Sequence, residues 1–143
     1  MARIRPALPE DLPAIRSLLA GEGLPADDLE PHLAHFFVAE DHGRLLGVCG
    51  LESHPPFGLM RSLAVAEPWR GRGLGRSLGE AVATHARRTG LRELYLLTTR
   101  SAAVARRLGF HPVNREEAPP EIRGTTEFSH ACPASARLMR RRL

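Results

Sequence analysis

An apolar run from Leu59 to Ala66 leads through Pro68-Trp69 into Arg70-Gly71-Arg72-Gly73-Leu74-Gly75, and a helical pattern follows at once. This turn constrains the fold more than any other stretch of the chain. Closely spaced glycines let successive backbone N–H groups converge, and the helix behind them adds the positive end of its dipole, so the turn can hold an anion. Arg70, Arg72 and Arg76 add charge beside it. No Gly-Lys-Ser/Thr follows, so the turn is not a nucleotide-hydrolase phosphate loop. It also lacks the G-x-G-x-x-G spacing and downstream acid of a dinucleotide fingerprint. Taken alone, it is equally a glycine-rich connection with solvated arginines, and its context must decide.

That context is an alternation of strands and helices. Ile4 opens a short strand, Pro9-Glu10-Asp11 reads as a helix first turn, and Leu12, Ile15, Leu18 and Leu19 recur at helical spacing until Gly21 and Gly23. A second short helix is expected from Asp27 toward Leu33. Phe36–Glu40 and Leu45–Glu52 read as a hairpin around Asp41-His42-Gly43-Arg44, with Pro55-Pro56 closing it. Leu59 to Ala66 has the near-continuous apolar character of a strand buried on both faces, interrupted by Arg61 and Ser62. Leu78, Ala81, Val82 and His85 trace a helix face that ends near Gly90. Leu94–Thr98 is the next strand, Ser101–Leu108 a short helix, and Phe110–Val113 a strand. Ala136–Leu143 reads as a closing strand after a loop rich in Pro and Thr.

A length of 143 residues suits one domain, 1–143, and 43% hydrophobic with 25% charged residues is an ordinary globular balance. No apolar run approaches the roughly 20 residues of a membrane-spanning helix. The opening residues Met1 to Pro6 lack the apolar stretch of a secretory signal, and a cytoplasmic chain is expected. In that setting Cys49 and Cys132 are expected to be reduced. The net charge of +4 favours anions of any kind and chooses no partner. The arginine-rich end, Arg137 and Arg140 to Arg142, lacks interleaved aromatics, so nucleic acid is not expected as a partner. His32, His35, His42, His85, His111 and His130 show no metal-ligand spacing, and no metal is expected.

The stretch Val65-Ala66-Glu67-Pro68-Trp69-Arg70-Gly71-Arg72-Gly73-Leu74-Gly75 resembles the V-x-P-x-x-R-G-x-G-x-G signature of the GNAT superfamily of N-acetyltransferases, with one more residue before Pro68. Leu108-Gly109-Phe110 is similar to the superfamily's second landmark, L-G-F. The resemblance covers nearly the whole chain. It implies an α/β (α+β) fold with a mixed, mostly antiparallel sheet of six to seven strands, splayed at a bulged central strand, and about four helices. It further implies acetyl-coenzyme A as cosubstrate. Leu63, Ala64 and Val65 would meet its pantetheine arm, with Thr98 and Thr99 on the neighbouring strand, and Arg70, Gly71, Arg72, Gly73, Leu74, Gly75 and Arg76 would hold its pyrophosphate. Pro119 to Phe128, with Cys132 to Ala136 and Met139, resembles the ending of short acetyltransferases associated with arsenic resistance and of proteins like N-acetylglutamate synthase. That narrower resemblance implies a small amino acid or amino-acid-like toxin as the amine acceptor.

N-acetylation needs a neutral amine, a path for its proton and stabilisation of the oxyanion. The superfamily often protonates the departing thiolate with a Tyr four residues before the Gly of L-G-F, and here that residue is Ala105. Ser101 or Thr99 could supply a hydroxyl instead, while Tyr95 is placed for the core. For the base, Glu52 and His54 alternate onto one face at the end of a strand, and Glu52 is the candidate; its competing role is to pair with Arg61. An arginine in an apolar strand must meet an anion. Arg61 and Ser62 are therefore candidate substrate-binding residues, and so are Thr126 and Glu127, which could equally cap a helix. Loss of the Tyr leaves open a coenzyme A-binding regulatory or sensor module, and an open pocket would suit a protein amine. A homodimer is compatible with the sequence, which does not choose the oligomeric state.

Overall fold

The computed structural model describes residues 2–131 and 135–143. Among them the strands are β1 (Arg3–Pro6), β2 (Phe37–Asp41), β3 (Arg44–His54), β4 (Phe57–Val65), β5 (Glu93–Thr98), β6 (His111–Pro112) and β7 (Arg137–Arg142). They form one sheet in the order β1-β2-β3-β4-β5-β7-β6, antiparallel throughout except where β4 meets β5. The closing strand therefore does not cap an edge. It inserts between β5 and β6 and completes the half of the sheet beyond the parallel pair.

The helices are α1 (Leu12–Gly21), α2 (Leu74–Arg88), α3 (Ala102–Arg107) and α4 (Pro120–Arg123). Alternating side chains of β2 and β3 serve different layers, as the period of a strand requires. Val38 and Val48 pack with Ile15, Leu19, Leu29 and Phe36 beneath α1. Ala39, Cys49 and Leu51 pack with Leu78, Val82 and Ala86 of α2 and with Leu94, Leu108 and Phe110. A third group, Leu59, Tyr95, Ala118, Ile122 and Leu138, closes the far end, and Tyr95 has the core place expected of it. Cys49 is a buried thiol whose pKa burial pushes up to about 12, while Cys132 lies outside the described residues.

Two segments differ from expectation. The short helix expected from Asp27 is a 3₁₀ turn, Glu30–His35, and starts three residues later. The loop expected before β7 holds α4 and a π-helical turn, Glu127–Ala131. Prolines read as breakers, yet Pro120 sits in the first turn of α4, where a missing N–H is tolerated. Thr125 then links the two pieces. Its hydroxyl donates to Ile122 O at 2.7 Å and accepts from Phe128 N at 3.2 Å.

Gly50 marks the tightest approach between β3 and the layer beneath α1, since a Cβ there would lie 2.3 Å from the Phe36 ring. Phe36 is fully buried and cannot swing away. Gly50→Ala is expected to lower stability by about 1–3 kcal/mol through overpacking, measured as a shift of the urea midpoint at unchanged slope.

Candidate active site

Pairing in the middle of the sheet fails by design of the backbone. β3 and β4 stay in antiparallel register from His54↔Phe57 to Gly50↔Arg61, then slip, so that Val48 faces Ala64. β4 carries the extra residue, and Ser62 adopts a left-handed φ of 60° to accommodate it. β5 pairs with β4 only from Phe57↔Glu93 to Leu59↔Tyr95. Beyond that point the two strands part, and a cleft of about 440 Å³ opens between them. Met60 to Leu63 form one wall and Leu96 to Ser101 the other, with Ala105 and Leu108 behind, Glu22 to Pro25 across the mouth and Glu127 at the far side.

The glycine turn begins at Arg70, which lines this cleft. Gly73 takes a left-handed φ of 83° immediately before α2, and no side chain caps that helix start. The first N–H groups of α2, on Leu74, Gly75 and Arg76, have no partner within the helix and form an anion-binding end. Arg72 stacks on Trp69 at 4.7 Å. Arg70 reaches into the cleft, where its Nε donates to Val65 O at 3.0 Å and its guanidinium pairs with Glu22. Arg100 on the opposite wall donates to Glu22 O, so both arginines bind the segment that follows α1.

The floor is ionic. The Arg61 side chain is completely buried and meets three carboxylates. Its two terminal nitrogens grip Asp28 at 2.8 and 2.7 Å, and Nη1 also donates to Glu52 Oε2 at 2.7 Å. Nε donates to Ser62 Oγ at 3.0 Å and stands 3.3 Å from Glu127 Oε1. Burial alone would lower the Arg61 pKa, but the bond to Asp28 and the fields of Glu127, Asp28 and Glu52 raise it, and the cation persists. The same bond holds Asp28 below the usual carboxylate range. On the outer side of Glu52, His54 Nε2 lies 3.0 Å and His32 Nε2 3.6 Å from Oε1. Burial pushes the His32 pKa down, which keeps the ring neutral at pH 7. Asp28, His32 and Glu52 bring ligand atoms within 4.8 Å of one another, but both carboxylates already hold Arg61, which is the cation of this cluster.

The sequence-predicted residues thus divide by position. Arg61, Ser62, Leu63, Arg70, Thr98, Thr99, Ser101 and Glu127 line the cleft. Gly71, Arg72, Gly73, Leu74, Gly75 and Arg76 follow Arg70 in the chain and are not among the lining residues. Ala64 turns its side chain into the core under α1, and Val65 packs toward α2. Glu52 is buried behind Arg61 and is not part of the cleft wall. Thr126 is exposed while Glu127 is buried, so these neighbours do not act as a pair. Thr98 does more than line the wall: its Oγ1 accepts from Ser101 N at 2.7 Å and Arg100 N at 3.2 Å, and so holds the turn into α3. Asp28, Glu22 and Arg100 escape sequence reasoning. Only the need of a buried arginine for several anions points toward Asp28, and nothing local marks it.

A bulged strand parted from its parallel neighbour, running on into a glycine turn and an uncapped helix start, is the framework of an N-acetyltransferase. The chain belongs to the acetyltransferase (GNAT) family, whose model matches residues 4–110. It is similar to an uncharacterized N-acetyltransferase of Chlorobaculum tepidum, 32% identical over 108 residues, which are 72% of this chain and 69% of the relative. It is 36% identical over 93 residues to the amino-acid acetyltransferase of Pseudomonas fluorescens, which covers 64% of this chain but only 22% of that protein. Among solved structures it matches N-acetylglutamate synthase from Neisseria gonorrhoeae, complexed with coenzyme A and N-acetyl-glutamate, with a TM-score of 0.85 and 25% identity. The match covers 100% of this chain and 35% of the synthase. A Mycobacterium tuberculosis protein solved with coenzyme A shares the fold along 99% of both chains, with a TM-score of 0.85 and 23% identity.

Removing the central cation tests the floor. Arg61→Met leaves buried carboxylates uncompensated and is expected to cost about 3–5 kcal/mol at pH 7. Asp28 has a depressed folded pKa, so the stability it draws from Arg61 is present above its unfolded value of 3.8 and is lost as pH falls below it. The difference between variant and parent should therefore hold down to about pH 4 and shrink only on further acidification, measured by denaturant unfolding across pH.

Proposed function

We propose that the chain transfers acetyl from acetyl-coenzyme A to the amine of a small amino acid or amino-acid-like toxin, by direct attack while both substrates are bound. The observation that carries this reading is the cleft itself, open along the unpaired part of β4, with the anion cradle beginning at Arg70 on its wall and the Arg61 floor at the other side. The residues fit the cosubstrate. Gly71 and Gly73 have left-handed φ values and open space around them, so a phosphate can approach the backbone, and Arg70, Arg72 and Arg76 surround the same turn. Arg70 would exchange Glu22 for the pyrophosphate. Leu63 and Val65 would present main-chain groups to the pantetheine arm, flanked by Thr98 and Thr99, and Ser101 offers a hydroxyl near Ala105 for the departing thiolate. Acetyl-coenzyme A supplies the activated acyl group.

An amino-acid acceptor is supported by size and by the relatives' names. Glu22 to Pro25 and Glu127 narrow the cleft, which disfavours a protein chain. The amino-acid acetyltransferase of Pseudomonas fluorescens matches 64% of this chain and the synthase 100% of it. Ser62, on the left-handed bulge, lies where the acceptor would meet the thioester. A toxin containing arsenic is the narrower form of the reading, carried by the tail residues Pro119 to Phe128. A second reading, a coenzyme A-binding sensor with little turnover, is favoured by Ala105, which is buried and brings no hydroxyl to α3.

Incubation with acetyl-coenzyme A and a panel of amino acids, including an organoarsenical analogue, should release free thiol above the hydrolysis rate with at least one amine. Tight binding of acetyl-coenzyme A with no acceptor in the panel would favour the sensor.

A further inference from the structure

Arg61 carries one positive charge and three acidic side chains surround it, Asp28, Glu52 and Glu127. The three acids are not equivalent. Asp28 takes two short bonds from the guanidinium, and Glu52 takes one short bond and a second contact from His54. Glu127 Oε1 stands 3.3 Å from Arg61 Nε, which also donates to Ser62 Oγ. Of the three, Glu127 alone belongs to the cleft wall, and it is 3% exposed. The other acid on that wall, Glu22, lies at the mouth and is paired with Arg70.

The turn that carries Glu127 is braced on both sides. Thr125 bonds Ile122 O and Phe128 N, and Ser129 Oγ donates to Thr125 O at 2.8 Å. Arg115 stacks on Phe128 at 4.5 Å and donates to Ala136 O at 2.8 Å. A braced π-helical turn that buries one carboxylate against a cleft is a costly arrangement for a residue with no chemical task, and such turns recur at functional sites.

We propose that Glu127, and not Glu52, receives the ammonium group of the acceptor and takes its first proton. This deepens the acetyltransferase reading and rests on it. One N–H proton of the ammonium passes to the Glu127 carboxylate. The freed lone pair attacks the thioester carbonyl carbon, the C–S bond breaks, and the electron pair leaves with sulfur as thiolate. The excess proton on the new amide nitrogen moves to that thiolate, giving free thiol, and Glu127 returns its proton to water. Three acidic side chains around one guanidinium draw in the cationic amine, and Arg61 stands beside the Glu127 carboxylate as its counter-ion. An acceptor carboxylate would point to the other side of the cleft, toward Arg100. Among the described residues, the charged or titratable groups that share the floor or the cleft with Glu127 include Arg61 on β4, Asp28 before β2, Glu52 on β3 with His32 and His54 beside it, and Glu22, Arg70 and Arg100 on the cleft wall.

Two measurements test the assignment. In the whole chain saturated with coenzyme A and labelled with ¹³C at glutamate Cδ, methylammonium should move the Glu127 resonance, identified by its absence in Glu127→Asp. Tetramethylammonium, which cannot donate a hydrogen bond, should not. In acetyl transfer, Glu127→Gln should lower kcat by about 10²–10⁴-fold and remove the acidic limb of the pH profile, with KM for acetyl-coenzyme A unchanged and Glu127→Asp recovering part of the rate. A resonance that ignores methylammonium, or a Gln variant with kcat within threefold of the parent, overturns the proposal. If no amine is acetylated by the parent, the acetyltransferase reading fails, while the ammonium titration still decides the role of Glu127.

Discussion

The Arg61 guanidinium is the interaction on which the rest of the site depends. Desolvating a cation of that size costs several kcal/mol even after relaxation, and only close, well-aligned anions offset it. The structure provides them from three separate parts of the chain: Asp28 before β2, Glu52 on β3 and Glu127 before β7. These parts also form or back the floor of the cleft. One buried side chain thus ties together a loop, a strand and a turn. A hydrophobic residue at position 61 would pack the strand as well, but it would leave those segments without a common anchor and the cleft without charge.

The bulge beside it has a complementary role. Ser62 sits in a left-handed conformation that costs a non-glycine residue free energy, and such strain persists only where the surroundings impose it. Here the Arg61 Nε bond to Ser62 Oγ helps impose it. The extra residue turns β4 away from β5, and the parting of the two strands exposes main-chain groups that would otherwise be paired within the sheet. The same strand then runs into Pro68 and the glycine turn, so bulge, cleft and anion cradle follow one another within fifteen residues, 61–75. The bulge and the glycine turn are one local design.

That locality explains what could be read from the sequence. The order of strands and helices, the glycine turn, the end of α2 at Gly90 and the core place of Tyr95 all rest on short-range signals: periodicity, glycine spacing and apolar runs. A buried anion partner for Arg61 was inferable from charge alone, and Glu52 was visible because β3 and β4 are adjacent in the chain. Asp28 was not, since it comes from a segment that forms a 3₁₀ turn where a regular helix was expected. The segment before β7 was hidden for another reason. Its prolines and threonine suggest a loop, whereas they begin α4 and brace the π-helical turn that buries Glu127 and exposes Thr126. Insertion of β7 between β5 and β6 is likewise a property of the whole sheet, and no local pattern announces it.

The asymmetry has a chemical basis. A pyrophosphate and a pantetheine arm are recognised largely by backbone groups, so any chain that folds with this turn and this parted strand acquires a donor site. An acceptor is recognised by side chains, and these arrive by long-range packing from positions that differ in sequence distance and element type. The family match ends at residue 110, whereas Glu127, the turn that holds it and the strand that follows lie beyond it. Membership in the family therefore speaks for the donor half of the reaction. On the reading proposed above, the acceptor half draws on the last thirty residues and their contact with Arg61, which belongs to the shared part of the fold and takes partners from both sides of residue 110.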